Sequence, residues 1–201
     1  MLGCADTLRS FFTCDTGGSL MTVTHLYAYE SQAQRAETRK RLATSAAWQE
    51  YVDASRCFVA AQESSLLLEA PDCHAAAGAA PVAQYHSPLK AVEPAVYELR
   101  TYQLILGYNP VPQLRAALVE GLPSKVAADK EGALALMCYS DVGLLNTFVE
   151  VWRYPSAAAC IAAREAARRA PEWRAAIAKV APMVTSFSTQ FLQPASFSPW
   201  Q

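Results

Sequence analysis

A group of polar and aromatic side chains could lie on one surface of a predicted sheet and perform chemistry there. They occupy alternate positions of two β-favouring segments: Glu98, Arg100 and Tyr102 in the first, and Asn146, Glu150 and Trp152 in the second. Successive side chains of a strand point to opposite faces, so each set of three shares a face. A carboxylate beside a guanidinium and aromatic rings is suited to binding an anionic small molecule, with Glu150 as an acid or base.

The elements that would position these side chains occur twice in the 201 residues, at an offset of 125 positions. Ser31 and Trp48 align with Ser156 and Trp173, and the run 65–68 aligns with 190–193. At this offset His25 is the counterpart of Glu150, so it joins the candidate cleft. The copies are unequal, because the second begins with a strand and a helix whose counterparts would fall before Met1.

The second copy has the β-α-β-β-α-β order of a ferredoxin-like domain, and the first copy has only part of it. Strand signals, turn signals and helix-forming runs follow one another in that order through the second copy. The first copy contains a hairpin, a helical region and a last strand. We therefore predict an α+β protein with three regions: a truncated half-domain at 1–70, an Ala/Pro-rich linker at 71–94 and a complete domain at 95–201.

The missing strand predicts an incomplete sheet in the first half-domain. In a ferredoxin-like sheet the first strand lies between the third and the fourth, and a gap there leaves backbone N–H and C=O groups without partners. Three arrangements would resolve this: a sequence that begins late, direct pairing of the flanking strands, or a strand added by another polypeptide. We expect a rearranged or externally completed half-domain held in an assembly, because a free edge invites aggregation.

Composition and residue spacing argue against several classes of function. The net charge is −1 and there is no basic block, so no nucleic-acid partner is predicted. The apolar runs are shorter than the ~20 residues of a transmembrane helix, so no membrane-spanning segment is predicted. The scattered His25, His74 and His86 predict no metal site, and no cofactor is predicted; His25 would be the only candidate axial ligand for a haem.

Four motifs resemble those of the NIPSNAP family in their order and spacing. They are 97–102 (YELRTY), 145–156 (LNTFVEVWRYPS), 171–173 (PEW) and 192–194 (LQP). The resemblance covers 95–199, together with 5–70 as a truncated second copy. Glu150 stands where the family usually has histidine, whereas the first copy keeps His25 but has Tyr27-Ala28-Tyr29 in place of Trp-Arg-Tyr.

The resemblance implies a fold, a location and a role. It implies tandem ferredoxin-like domains that form a pseudo-dimeric α+β barrel, in a mitochondrial family without established catalytic residues. We therefore predict a non-enzymatic mitochondrial structural or interaction protein, an accessory subunit of a larger complex whose partners are other protein subunits. The alternatives are a small-molecule-binding or enzymatic barrel, of monooxygenase or isomerase type, and a mitochondrial quality-control adaptor.

Two interpretations of the candidate cleft remain open. The face with Val149 and Val151 is suited to packing on helices, so we expect the polar face to look into the space between the half-domains. If Arg100, Glu150 and His25 converge in an enclosed cleft there, an enzyme is favoured. If Arg100 only forms an ion pair with a glutamate, or aromatic side chains fill the cleft, a structural role is favoured.

Overall fold

The described part of the chain, residues 7–85 and 95–201 of a computed structural model, contains seven strands and six α-helices. The strands are β1 (Leu8–Thr16), β2 (Val23–Tyr27), β3 (Leu66–Glu69), β4 (Val96–Leu104), β5 (Ala133–Val142), β6 (Thr147–Tyr154) and β7 (Val184–Pro194). The helices are α1 (Gln32–Ala43), α2 (Ala46–Ser55), α3 (Pro71–Ala76), α4 (Pro110–Ala128), α5 (Ala157–Ala167) and α6 (Pro171–Val180). The α+β class predicted from the sequence is confirmed.

All seven strands belong to one antiparallel sheet, in the order β2-β1-β7-β4-β6-β5-β3. β4 lies at the centre, between β6 and β7. The hairpin of β1 and β2 joins the sheet through β7, whereas β3 pairs with β5 at the opposite end. The segments that the sequence assigned to one half-domain are thus divided between the two edges of a shared sheet.

β2 and β3 are the edge strands of this sheet. They do not pair with each other in the described structure, so direct pairing of the flanking strands, one of three arrangements considered from the sequence, does not occur there. Residues 7–70 also form no four-stranded sheet of their own. The hydrogen bonds of β3 go instead to β5, with Leu68 opposite Tyr139.

Helices α3 to α6 pack on one face of the sheet, which we call the outer face. Tyr102, Phe148 and Trp152 lie in the apolar cluster on this face, together with buried residues of the four helices. The close approach of α4 and α6 depends on Gly121. A side-chain Cβ at that position would lie only 2.6 Å from the Ala176 Cβ, so the two helix backbones could not keep this spacing.

The opposite face, which we call the inner face, carries a second apolar cluster rich in aromatic rings. The Trp200 ring centroid lies 4.9 Å from that of Tyr85, 6.3 Å from Tyr97 and 6.5 Å from Phe12. Both edge strands contribute to the cluster, Leu26 from β2 and Leu67 from β3, as expected for a sheet that curls towards this face.

The segment after β7 runs beside β1, and hydrogen bonds between the two hold Trp200 in place. The Trp200 N–H donates to the Arg9 carbonyl at 3.1 Å, and the Phe11 N–H donates to Ser198 Oγ at 3.1 Å. The Arg153 Nε donates to the Gln201 backbone oxygen at 2.9 Å. Through these hydrogen bonds the segment is attached to the sheet, and the Trp200 indole fills the inner face.

The first part of the expected linker is built into the fold. α3 starts at Pro71, a residue that favours the first helical position, and His74 is only 2% exposed. The Met137 N–H donates to His74 Nε2 at 2.9 Å, so Nδ1 carries the proton and donates to the Ala80 carbonyl at 2.9 Å. His74 therefore joins α3 to β5. Residues 86–94 of the expected linker, with His86, lie outside the described residues.

Candidate functional site

A network of charged side chains lies buried on the outer face, between β4, β6 and α5. The carboxylate of Glu98, which is fully buried, lies 2.9 Å from Arg100 Nη2 and accepts a hydrogen bond from Arg164 Nε at 2.9 Å. The Cys160 thiol donates to the other carboxylate oxygen, Glu98 Oε2, at 3.4 Å. Arg100 Nη1 also lies 3.9 Å from Glu150 Oε2. Glu98 is therefore held by two guanidinium groups rather than offered to a ligand.

The electrostatics keep Glu98 ionised. Burial by itself raises the pKa of this carboxyl group, but the charge of Arg100 and the hydrogen bonds from Arg100 and Arg164 outweigh burial and lower the pKa below its usual value of 4.5. Glu98 thus stabilises the fold above about pH 4.5, and this contribution is lost as the pH falls through its lowered folded-state pKa. A carboxylate held ionised in this way is not a proton donor at neutral pH.

A buried lysine lies beside this network. Lys125 of α4 is 1% exposed, and its Nζ lies 3.2 Å from the Trp152 ring centroid and 3.7 Å from Asp129 Oδ2. Nζ has no hydrogen-bond partner among the described residues, and Glu150 Oε1 has none either. Burial, with the nearby charge of Arg100, lowers the pKa of Lys125 to about 8.

Replacing Lys125 with methionine should raise the free energy of unfolding by about 1–3 kcal/mol at pH 7, because the lowered pKa of Lys125 means that the fold holds its charged form at a cost. Asp129 would keep its hydrogen bonds from the Glu131 and Gly132 amides and from Tyr154. In the unsubstituted protein, stability should rise from about pH 8 towards pH 10.5, because the folded state releases the Lys125 proton first.

Urea unfolding at pH 7 and pH 9.5 measures both effects, and the methionine variant should lack the rise attributed to Lys125. Lys130→Met, at an exposed position just beyond the same helix, is the matched control. A loss of more than about 1 kcal/mol at pH 7, specific to Lys125→Met, would contradict a net cost of burying this charge.

Asn146 and Tyr102 have local structural roles. Asn146 precedes β6 in a positive-φ conformation (57°), and its Nδ2 donates to the carbonyls of Ile105 and Gly107 at 2.8 and 3.0 Å. It therefore fixes the loop that follows β4. The Tyr102 ring packs at 4.5 Å from the Phe187 ring centroid.

His25 lies far from the charged network. It is on β2, opposite Phe11, and four strand spacings of about 4.8 Å put it roughly 19 Å along the sheet from β6. Its ring packs against Phe11 at 5.7 Å and Tyr27 at 5.4 Å, and burial lowers its pKa. The structure therefore brings together Glu98, Arg100, Glu150 and Trp152, but not His25.

The predicted orientation of the polar face was wrong. This face does not look into the space between the half-domains, because α4, α5 and α6 cover it. Val151 and Val149, expected to pack on helices, instead lie in or against the inner cluster. Both faces are apolar enough to be buried, and the rings of Phe148 and Trp152 give the polar face its packing surface against the helices.

Sequence reasoning missed Lys125 and Arg164 as members of the network. One signal was present in α4: Lys125 follows Leu118 and Leu122 on the apolar stripe, where a charged residue is expected to need buried partners. Arg164 lies on the Ala-rich helix α5, where an arginine is usually expected to face solvent. Its partner Glu98 is 66 positions away in the sequence, so no local pattern links the two.

A cavity of about 340 Å³ opens beside this network. It is lined mainly by the alanine and glycine residues at 77–80 and 132–133, with Leu134, Tyr85 and Trp152 as its larger side chains. The charged groups of the network are not part of its lining. Over the ranges 7–85 and 95–201, His, Cys, Asp and Glu form no group of three or more that could hold a metal ion. No helix in these ranges is long and apolar enough to cross a membrane.

One curled antiparallel sheet, helices on its outer face and the motifs along β4 and β6 define an α+β protein of the type expected from the sequence. The family model described as NIPSNAP matches residues 2–74 and 97–199. The chain therefore belongs to the NIPSNAP family, and the resemblance drawn from the sequence is confirmed.

Similar proteins carry the same family name. NipSnap homolog 3A of Homo sapiens is 27% identical over 194 residues, which cover 96% of this chain and 72% of that protein. NipSnap homolog 3B of Mus musculus is 27% identical over 190 residues, covering 94% of this chain and 70% of the homolog.

Solved structures agree on the fold. A NIPSNAP family protein with unknown function from Agrobacterium tumefaciens has a TM-score of 0.50 at 24% identity, covering 58% of this chain and all of the other. A putative monooxygenase from Lactobacillus acidophilus has a TM-score of 0.59 at 12% identity, covering 94% of this chain and 76% of the other. At these identities the similarity concerns the fold alone.

Proposed function

We propose that this chain is a non-enzymatic structural or interaction protein of the mitochondrion, acting as an accessory subunit of a larger complex. The observation that carries the proposal is the filled inner face. Phe12, Tyr85, Tyr97 and Trp200 pack against one another there, in the space where a small-molecule cleft was the alternative expectation. A core closed by aromatic rings favours a structural role.

The position of the charged groups supports the same function. Arg100 and Glu150 lie under helices instead of facing a ligand, and two arginines hold Glu98 ionised. His25 is several strands away from them. The acid–base arrangement that an enzyme of this type would need is therefore not assembled from these residues.

Exposed apolar side chains in the first half-domain favour a partner protein. α2 buries none of its residues, and Tyr51 is 48% exposed. Phe58, just after this helix, is 86% exposed. Apolar groups clustered on a surface are typical of an interface, and the two edge strands, β2 and β3, offer backbone groups to a further strand.

The mitochondrial assignment rests on the family resemblance. An accessory subunit and a quality-control adaptor differ in how they associate: a subunit is a permanent, stoichiometric component, whereas an adaptor binds transiently. Edge strands and unburied apolar helix faces favour the permanent state, since such surfaces are aggregation-prone when free.

The test is the native mass of the protein in a gentle mitochondrial extract of its own cells, with the co-migrating proteins identified. We expect a stable high-mass assembly in which this chain is stoichiometric. Migration as a free monomer or homodimer, or absence from mitochondria, would contradict the proposal. Substoichiometric and variable association would favour the adaptor.

A further inference from the structure

Three connections between secondary-structure elements lie together at one end of the sheet. Because neighbouring strands are antiparallel, β1, β4 and β5 end there, and β2, β6 and β7 begin there. The segments 17–22, 105–109 and 143–146 follow β1, β4 and β5 at this end. We call these three segments the apolar loops, since large apolar side chains project from each of them.

The side chains of the apolar loops are unusually exposed for their type. Met21 is 94% exposed, Leu106 97% and Leu144 71%. Four further apolar or aromatic side chains of these loops are exposed: Leu20, Ile105, Tyr108 and Leu145. By contrast, the connection 129–132 (DKEG) at the opposite end of the sheet is mostly charged. Apolar side chains concentrated at one end of a molecule indicate a contact surface, whereas single scattered ones do not.

Side-chain hydrogen bonds join two of the apolar loops. Asn146 Nδ2 donates to the carbonyls of Ile105 and Gly107 at 2.8 and 3.0 Å. Gln103 Nε2 donates in the other direction, to the Leu145 carbonyl at 2.9 Å. The loop after β4 and the hairpin between β5 and β6 therefore form one preformed surface, and their exposed side chains need no rearrangement before they meet a binding partner.

The same hydrogen bonds give backbone oxygens of the apolar loops partners within the protein. The carbonyl of Leu144 is paired as well, because Thr147 Oγ1 donates to it at 2.7 Å. In the first loop the Thr22 N–H donates to the Ser19 carbonyl at 3.1 Å. A backbone group that moves from water into hydrocarbon is costly unless it is already paired. Loops with paired carbonyls and apolar side chains are therefore suited to a medium without water.

The charge pattern identifies the kind of partner. No Asp, Glu, Lys or Arg occurs in the stretches 16–29, 105–114 and 142–149, which contain the apolar loops. An anionic membrane would be matched by basic residues, and a protein interface usually has a polar rim. A zwitterionic bilayer carries no net charge and its interior excludes charged groups, so an uncharged surface is complementary to it. Tyrosine, here Tyr108, is enriched at membrane–water interfaces.

We propose that the apolar loops bind the surface of a zwitterionic lipid bilayer, with Met21, Leu106 and Leu144 inserted among the acyl chains. The contact is peripheral: only the loops enter the boundary of the hydrocarbon region, and the sheet and its helices stay outside it. The inference goes beyond the proposed function, because a subunit that is held through its edge strands needs no contact with lipid.

Flotation of the purified chain with phosphatidylcholine vesicles tests the contact. We expect saturable binding whose affinity changes less than about twofold between about 0.1 and about 0.5 M NaCl, because salt does not screen an apolar contact. Absence of binding would overturn the inference. Binding that requires anionic lipid and is lost at high salt would also overturn it, because basic residues elsewhere on the chain would then form the contact.

A substitution in the apolar loops tests which residues form the contact. Leu106→Asp should weaken binding to the same vesicles at least about tenfold, because it removes an inserted apolar side chain and introduces a charge. Ile161→Asp is the matched control: Ile161 is also exposed, but it lies on α5, which follows the opposite end of the sheet. Its replacement should change the affinity less than about twofold. Both variants should keep the urea midpoint of the parent, since both positions are exposed. Equal effects on vesicle binding would overturn the inference.

The two proposals fail separately. If the chain migrates in a high-mass mitochondrial assembly but does not bind vesicles, the membrane contact is wrong and the subunit function stands. If Leu106→Asp then also releases the chain from that assembly, a protein covers the apolar loops in place of lipid. If the chain binds vesicles through Leu106 but is a free monomer in a gentle extract, the membrane contact is correct and the subunit function is wrong.

Discussion

Replacing Glu98 with alanine should lower the free energy of unfolding by about 3–5 kcal/mol, because it leaves the buried guanidinium of Arg100 without its nearest carboxylate. Arg164 and the Cys160 thiol lose the same partner. Urea unfolding at pH 7 measures the effect as a shift of the midpoint at an unchanged slope. The free energy of unfolding of the variant should also fall less steeply below about pH 4.5, because part of that fall comes from protonation of Glu98, whose pKa is lowered in the folded state.

Glu165→Ala is the matched control for this prediction. Glu165 is also a glutamate paired with an arginine of the α5 region, Arg168, but both side chains are exposed. Exposed pairs contribute less than about 1 kcal/mol. Similar losses from Glu98→Ala and Glu165→Ala would mean that the buried network does not stabilise the fold as the structure indicates.

The second large effect is expected from Trp200→Ala, which should cost about 3–5 kcal/mol. The indole is buried among Tyr85, Tyr97 and Phe12, and its removal leaves a cavity on the inner face. Thermal or urea unfolding measures the loss. Trp200→Phe should lose less, because a second ring keeps part of the packing.

Phe197→Ala serves as the control in the same segment. Its ring contacts Phe11 at a centroid distance of 5.0 Å but is 65% exposed, so the expected loss is below about 1 kcal/mol. If Trp200→Ala were no more destabilising than Phe197→Ala, the segment after β7 would not fill the inner face, and the main support for a structural function would disappear.

Local features of the fold could be predicted from the sequence. The serine caps at Ser31 and Ser156 fix the starts of two helices, since each Oγ satisfies an N–H of the first turn. Turn residues and alternation likewise located the second hairpin and placed Arg100 and Glu150 on the same face of the sheet; the structure puts them opposite each other on β4 and β6. These signals operate over a few residues or across one turn.

Long-range features could not be predicted in the same way. The pairing of β3 with β5 joins residues 66–69 to residues 138–142, and no local pattern within 66–69 specifies that distant partner. The orientation of β6 was ambiguous because both of its faces bury apolar side chains. Alternation separates two faces of a strand, but it does not say which one the helices cover.

Individual buried residues were missed for a related reason. His74 and Trp200 lie in Ala/Pro-rich and Pro/Ser-rich segments that are typical of linkers and tails. Their partners, Met137 for His74 and Tyr85 for Trp200, are more than 60 positions away. Composition describes the chain around such residues, whereas their burial depends on distant strands.

The central claim is that this chain joins an assembly through the edge strands β2 and β3 of its sheet. Amide hydrogen exchange of this chain, in the assembly isolated from its own cells and as the purified protein, tests it most directly. The account predicts that residues 23–27 and 66–69 exchange much more slowly in the assembly, with exchange in β4 the same in both. Equal exchange of these two edge strands in both states would contradict it.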